Sequence, residues 1–210
     1  MARLTEAKCR KCRRMGEKLF LRGDRCFSAK CAVTRRAVAS GRRQGRGRRG
    51  GISEFGRQLS EKQKVKRIYG VLERQFKNYF EKAQGSKGDT RQNLIQLLES
   101  RLDNVVFRLG WAKSRAAARQ IVNHGHILVN GKKLDIPSYE VKVNDKISPK
   151  EKIRKSKLME EIIPSLKKHE LPGWLGMDPE TLEAKALSRP SVEDLGDLSS
   201  IGLIVEFYSR

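Results

Sequence analysis

Four cysteines, Cys9, Cys12, Cys26 and Cys31, fall within the first 31 residues of a 210-residue chain that has no others. Their spacing is C-x2-C, thirteen residues, then C-x4-C. Each close pair can chelate from one turn, and four thiolates complete the tetrahedral shell of a structural zinc ion. The surrounding Lys8, Arg10, Lys11, Arg13, Arg14 and Arg25 favour thiolate formation. A short segment with few apolar residues also needs such a staple. The second pair departs from the x2 spacing of a ribbon finger, so free thiols, two disulfides and an iron–sulfur cluster stand as competing readings, with Zn2+ ahead of them. A shell of four thiolates leaves no open position, which argues against catalysis at the metal.

No other constellation offers catalysis. The glycines of residues 41–51, GRRQGRGRRGG, lie among arginines and follow no strand, so they are not a Walker or dinucleotide loop. Neither H-E-x-x-H nor G-x-S-x-G occurs. His124 and His126 flank Gly125, and His169 lies far downstream. A His pair two residues apart with no cysteine nearby is weak as a metal site. It reads either as a polar helix cap or as a group that stacks on RNA. Glu193, Asp194 and Asp197 stand among Leu, Ser and Gly and read as a solvated loop or a protein-facing surface.

Charge then carries the functional argument. The formal net charge is +22, from 46 Lys+Arg against 24 Asp+Glu. It is unevenly spread: +14 over residues 1–50, +4 over 51–100, +8 over 101–160 and −4 over 161–210. Such self-repulsion calls for a polyanion, with nucleic acid first and an anionic membrane surface second. No apolar run approaches the ~18 residues of a transmembrane span. The charged N-terminus lacks the apolar region of a signal peptide. A reducing, cytoplasmic setting is the expectation, which favours metal ligands over disulfides.

The elements that position these groups follow from periodicity and caps. Residues 41–51 hold five Gly and five Arg and no apolar residue. They read as an arm that orders on a phosphate backbone, against the blander reading of a solvated linker. Residues 53–82 predict a helix with an apolar stripe of Val65, Ile68, Leu72, Phe76, Tyr79 and Phe80 and a facing set that includes Lys62, Lys66 and Arg67. Residues 90–110 predict a helix stopped by Gly110. Ser114 then caps a second one that ends at Gly125 and carries Arg115 and Arg119 on one side. Asn130-Gly131 between short β-prone runs predicts a type I′ hairpin. Residues 139–143 predict another strand, 150–168 a helix interrupted by Pro164, the segment around Trp174 a loop, and 201–208 a terminal strand docked on a core.

These residues carry a resemblance. Residues 93–147, NLIQLLESRLDNVVFRLGWAKSRAAARQIVNHGHILVNGKKLDIPSYEVKVNDKI, are similar to the small RNA-binding module named after ribosomal protein S4. Residues 53–80 resemble the helical segment that precedes this module in the bacterial-type ribosomal S4 family, and IVEFYSR resembles that family's C-terminus. The cysteines resemble its zinc-retaining variant. Related modules occur on tyrosyl-tRNA synthetases, RNA pseudouridine synthases and a heat-shock protein, but with catalytic domains or flanks that this chain lacks.

The resemblance implies a mainly α fold with a small β component (α+β). A helical domain of residues 51–92, completed by 181–210, receives an inserted module of two helices and a short twisted antiparallel sheet at 93–180. A metal-stapled basic segment and arginine arm occupy 1–50. It further implies a structural, non-enzymatic protein that binds the 5′ domain of small-subunit rRNA as a primary binder and nucleates assembly of the body. It implies a place near the messenger RNA entry path and contact with ribosomal protein S5, an interface that bears on decoding accuracy; some members repress their own operon. No membrane and no small-molecule substrate is expected.

RNA junctions are read mostly by shape and phosphate placement, which suits arrays of Arg and Lys on rigid helices. The resemblance and the residues point to one patch: Ser114, Arg115, Arg119, Gln120, Asn123, His124, His126, Asn130, Gly131 and Lys132. The arm adds Arg42, Arg43, Arg46, Arg48 and Arg49, and the preceding helix adds Lys62, Lys66 and Arg67. Removing Arg115 is expected to lower the salt-dependence slope of binding by about one unit. Two other readings compete. A zinc-containing DNA-binding regulator would concentrate its cations on one recognition helix. An RNA-modifying enzyme carrying the same module would need an essential Asp or a nucleotide site.

Overall fold

The computed structural model describes residues 6–35, 53–166, 169–191 and 201–209. The arginine arm and the acidic trio Glu193, Asp194 and Asp197 lie outside these described residues. The chain forms two compact units, residues 1–91 with 196–210, and residues 92–195.

The first unit begins with three short helices, α1 (Lys8–Met15), α2 (Asp24–Phe27) and α3 (Ala32–Arg35). Two longer ones follow, α4 (Glu54–Ile68) and α5 (Glu73–Gln84). Ser53 caps α4, its Oγ accepting from the Gly56 N–H at 3.2 Å. The single helix expected over 53–82 is divided: Gly70 adopts φ +65°, and Leu72 is extended ahead of α5. Glycine is the residue that makes this reversal cheaply, and it sits inside an otherwise continuous apolar stripe. Val65, Tyr69, Val71, Phe76, Phe80 and Ala83 are buried around the corner.

The last element, α11 (Ile201–Tyr208), is a helix, not the expected strand. It packs on α4 and buries Ile201 and Ile204, three apart on one helical face. Tertiary burial here overrides local propensity. The Tyr208 ring stacks on Phe80 at 4.7 Å, and its hydroxyl donates to Glu73 Oε1 at 3.0 Å.

Glu73 is the hub of this corner. Lys62 Nζ donates to its Oε1 and Lys66 Nζ to its Oε2, the latter at 2.7 Å. Burial alone would raise its carboxyl; the two lysines overcome that and bring it down to about 2. A carboxylate depressed in the folded state contributes stability that is present above its unfolded pKa, near 4.5, and is lost as pH falls toward 2. The first unit is therefore expected to lose stability steadily between about pH 4.5 and 2. In Glu73→Gln that part of the pH dependence should vanish in urea melts taken across this range. An unchanged profile would remove Glu73 as its source.

The second unit opens with α6 (Thr90–Glu99) and α7 (Leu102–Arg108), followed by α8 (Arg115–Asn123). The helix expected over 90–110 breaks because Arg101 is extended, with ψ 134°. Its backbone pairs with residues 139–141 instead: Leu102 N–H donates to Tyr139 O at 2.9 Å and Val141 N–H to Ser100 O at 2.8 Å. The strand expected at 139–143 is thus a single bridge, Arg101 to Glu140, beside a helix junction and outside the main sheet.

That sheet contains β1 (Ile127–Val129), β2 (Lys132–Leu134), β3 (Lys146–Pro149), β4 (Leu175–Asp178) and β5 (Glu183–Ala186) in the order β2-β1-β3-β5-β4, antiparallel throughout. Between β3 and β4 lie α9 (Glu151–Arg154) and α10 (Lys157–Leu166). The interruption falls at Lys155–Ser156, while Pro164 stays inside α10. The loop expected around Trp174 is partly strand: Trp174 is buried and β4 starts at the next residue. Leu175 pairs with Ala186 and Asp178 with Glu183, so the sheet runs past residue 180, the expected end of the module.

One apolar core closes the unit. It includes Leu102, Val106, Leu109, Trp111, Val122, Ile127, Ile147, Met159 and Trp174. Burial of this kind contributes roughly 25 cal/mol per Å² of apolar surface.

Candidate nucleic-acid interface

The site is built on α8 and the hairpin that follows it. Ser114 caps α8, its Oγ accepting from the Ala117 N–H at 3.3 Å. Ala118, Ile121 and Val122 bury one face against the core. The helix ends where Gly125, at φ +66°, sends its N–H to Val122 O and the His126 N–H returns to Ile121 O. This cap fixes where His124 and His126 point. Their ring centroids are 5.9 Å apart.

Immediately past β1, Asn130 and Gly131 take φ +51° and +77°, the pair of positive angles that the type I′ turn requires. The Asn130 side chain is spent on holding the hairpin. Its Nδ2 donates to Asp145 Oδ1 at 2.8 Å, and its Oδ1 accepts from the Lys146 N–H at 2.9 Å. Asn130 thus positions the turn. Gly131 has open space where a side chain would stand, so a phosphate backbone can approach its main chain closely.

Electrostatics distinguish this edge. Burial first, and then the charges of His124, Lys150, Lys152 and Lys133, hold the His126 imidazole below its ordinary pKa. A neutral ring among cations can stack on a base or accept a hydrogen bond while its neighbours meet phosphates. The stem of Lys133 crosses Gly125 so closely that a Cβ there would lie 2.1 Å from its Cε. Lys133, Lys150 and Lys152 are not singled out by sequence reasoning. The expected hairpin already folds Lys133 back toward His126, but the pairing of β3 with β1 that brings Lys150 and Lys152 there has no local signal in the sequence.

The expected residues divide into two groups. Gln120, Asn123, His124, Asn130, Gly131 and Lys132 are exposed, and His126 is half-buried beside them. Ser114, Arg119 and Lys62 turn inward. Arg119 is 8% exposed and reaches toward Asp103 at 3.8 Å, and Lys62 lies under the Phe207 ring at 4.5 Å. Arg115 is engaged too. Its Nε donates to Asn104 Oδ1 at 2.8 Å, and its guanidinium lies over Phe107 at 4.5 Å. The (i, i+4) pair does share a side of α8, but that side faces the carboxylates of α6 and α7. Lys66 is tied to Glu73, and Arg67 is half-buried with its Nη1 sealed from solvent. Arg42, Arg43, Arg46, Arg48 and Arg49 lie outside the described residues.

At the N-terminus, Cys9 and Cys12 stand one turn apart on α1, Cys26 is in α2, and Cys31 precedes α3. All four are free and line one pocket with Lys8, Arg22 and Arg25. Arg22 donates its backbone N–H to Cys26 Sγ at 3.3 Å. A backbone N–H from Thr34 pulls the Cys31 thiol below its usual value, whereas burial pushes Cys12 up. Among the described residues, no three His, Cys, Asp or Glu side chains are drawn into a finished ligand set. The donor chemistry and the shared pocket fit a thiophilic ion.

Comparison with known proteins adds the decisive observation. Sequence models of two families cover most of the chain: the Ribosomal protein S4/S9 N-terminal domain over residues 3–99 and the S4 domain over residues 100–147. The small ribosomal subunit protein uS4 of Syntrophomonas wolfei is 51% identical over 210 residues, spanning all of both chains. That of Clostridium tetani is 52% identical over the same full span, and that of Thermotoga petrophila 49% over 211 residues. The chain belongs to the ribosomal protein uS4 family. It is accordingly a structural protein of the small ribosomal subunit and not an enzyme. Among the described residues no helix is long and apolar enough to cross a membrane.

Proposed function

We propose that this uS4 protein binds small-subunit rRNA through the exposed edge formed by the end of α8, the β1–β2 turn and the start of α9. The observation that supports this most directly is the gathering of His124, His126, Lys133, Lys150 and Lys152 around one Schellman-type helix end. Cations there neutralise phosphates, the histidine rings offer stacking surfaces, and the open main chain at Gly131 admits close approach. The arginine arm supplies further phosphate contacts as it orders on the RNA. In the cytoplasmic small subunit this activity serves to nucleate assembly of the body from the 5′ domain of the rRNA. A neighbouring protein of the S5 type and the messenger RNA entry path are the further partners, through which the protein influences accuracy.

We further propose that Cys9, Cys12, Cys26 and Cys31 hold a structural Zn2+, the zinc-retaining form of the family. The ion would supply only a cross-link, joining α1 to the α2–α3 segment.

Salt titration tests the RNA reading. Binding to a 5′-domain rRNA fragment, followed by anisotropy, should weaken on the order of 10³-fold or more between 50 and 200 mM salt if at least six phosphates are neutralised. Lys132→Ala and Lys133→Ala should each lower the log–log slope by roughly 0.7–0.9. The inward-facing Arg119 is expected to act on the module's stability instead. A slope untouched by both lysine variants would move the interface elsewhere.

A further inference from the structure

The segment between α1 and α3, which includes α2, carries an unusual surface. Phe27 is 76% exposed and Phe20 45%, yet their rings stack on each other with centroids 5.1 Å apart and planes at 28°. Water does not favour leaving two large rings outside a core while Leu19 beside them is buried. Phe20 also holds φ +49°, a left-handed conformation that is costly for a bulky residue and persists only where its surroundings impose it. The cysteine segment lies directly downstream of it. The Arg22 N–H is tied to Cys26 Sγ and the Cys26 N–H to Gly23 O at 2.7 Å, so the turn of residues 22–26 between the two rings is hydrogen-bonded. The pair is thus pre-stacked and outward-facing.

Its setting is cationic. Lys18 and Arg22 flank Phe20, Arg25 and Lys30 flank Phe27, and all four are exposed. The acids within the same stretch are Glu17, paired to Lys64 at 2.6 Å, and Asp24, so cations outnumber them. Aromatic faces interleaved with cations are what an unpaired nucleic-acid strand requires, because every base has a face to stack and every step a phosphate to neutralise. A protein partner would have to offer an acidic surface as well as an apolar one, whereas a nucleic-acid strand brings a face and a charge at every step.

We propose that Phe20 and Phe27 form a stacking platform for unpaired bases of an RNA strand, an RNA site separate from the α8 edge. This inference rests on the RNA-binding reading above. The test uses the full-length protein with two probes, a 12-nucleotide single-stranded oligoadenylate carrying one 2-aminopurine and a fully paired RNA duplex of equal length. Phe27→Leu keeps the apolar bulk and removes the ring face. Phe27→Trp keeps a ring. Single-strand affinity should fall about tenfold or more in Phe27→Leu, with loss of 2-aminopurine quenching, and should be retained in Phe27→Trp. Duplex affinity and the salt slope should stay within about twofold of the parent, since phosphate contacts are untouched. Equal affinities for the single strand in the parent and Phe27→Leu overturn the platform, as does an equal loss on both probes. A loss confined to association with a second protein would assign the rings to that protein and equally overturn it. If the parent binds neither probe in a salt-dependent way, it is the RNA-binding reading that fails.

Discussion

Asp103→Ala is expected to destabilise the unit of residues 92–195 by about 3–5 kcal/mol, because it removes one partner of a buried ion pair. Asp103 accepts from Arg101 through both oxygens, at 3.0 and 2.7 Å, and the side chains are only 5% and 1% exposed. Arg119 approaches the same carboxylate at 3.8 Å. Two largely buried guanidinium groups therefore lose this carboxylate at once. For a unit of this size the melting temperature should fall by well over about 10 °C. The exposed Lys77–Glu81 pair provides the contrast, because its side chains are 63% and 59% exposed. Its loss should change stability by less than about 1 kcal/mol. Differential scanning calorimetry of both variants decides the matter. If the Asp103 variant shifted no more than the surface pair, the buried network would not be what holds α7 and α8 together.

The second large effect concerns the cysteine segment. With the proposed zinc in place, metal analysis should return one ion per chain, and Cys26→Ser should abolish it. Apparent binding energies of structural zinc sites reach about 10–16 kcal/mol, far more than a small and strongly basic segment gains from its own core. Chelation should consequently open residues 6–35 to protease while the 92–195 unit stays resistant. An N-terminal segment equally resistant with and without chelator, in protein containing no metal, would eliminate the staple.

What is legible in the sequence, and what is not, follows one division. The Asn130-Gly131 turn and the Ser114 and Gly125 caps are readable because each depends on the φ requirements of one or two adjacent residues. The break at Gly70 is hidden by an apolar stripe that runs through it in register. Spacing rightly places Arg115 and Arg119 on one side of α8, but it cannot say whether that side meets solvent or a buried carboxylate. Glu99 gives no warning of its role: it is fully buried, its Oε2 accepts from Asn104 at 2.8 Å, and both its oxygens accept from Arg108 at 2.9 Å. Strands β4 and β5 escape a reading by propensity because LGMD and EAKA lack β-branched residues. The alternation of Glu183, Ala184, Lys185 and Ala186 between surface and core is the signal present.

The docking of α11 on α4 has a consequence for biosynthesis. The face of α4 that Ile201 and Ile204 cover is made early, but the residues that cover it follow the whole of the 92–195 unit in the chain. Residues 92–195 contain their own core and can close while synthesis continues, whereas the first unit must wait for α11. The order of folding is thus the reverse of the order of the units along the messenger. A chain that lacked α11 would keep the core of residues 92–195 and leave the covered face of α4 open.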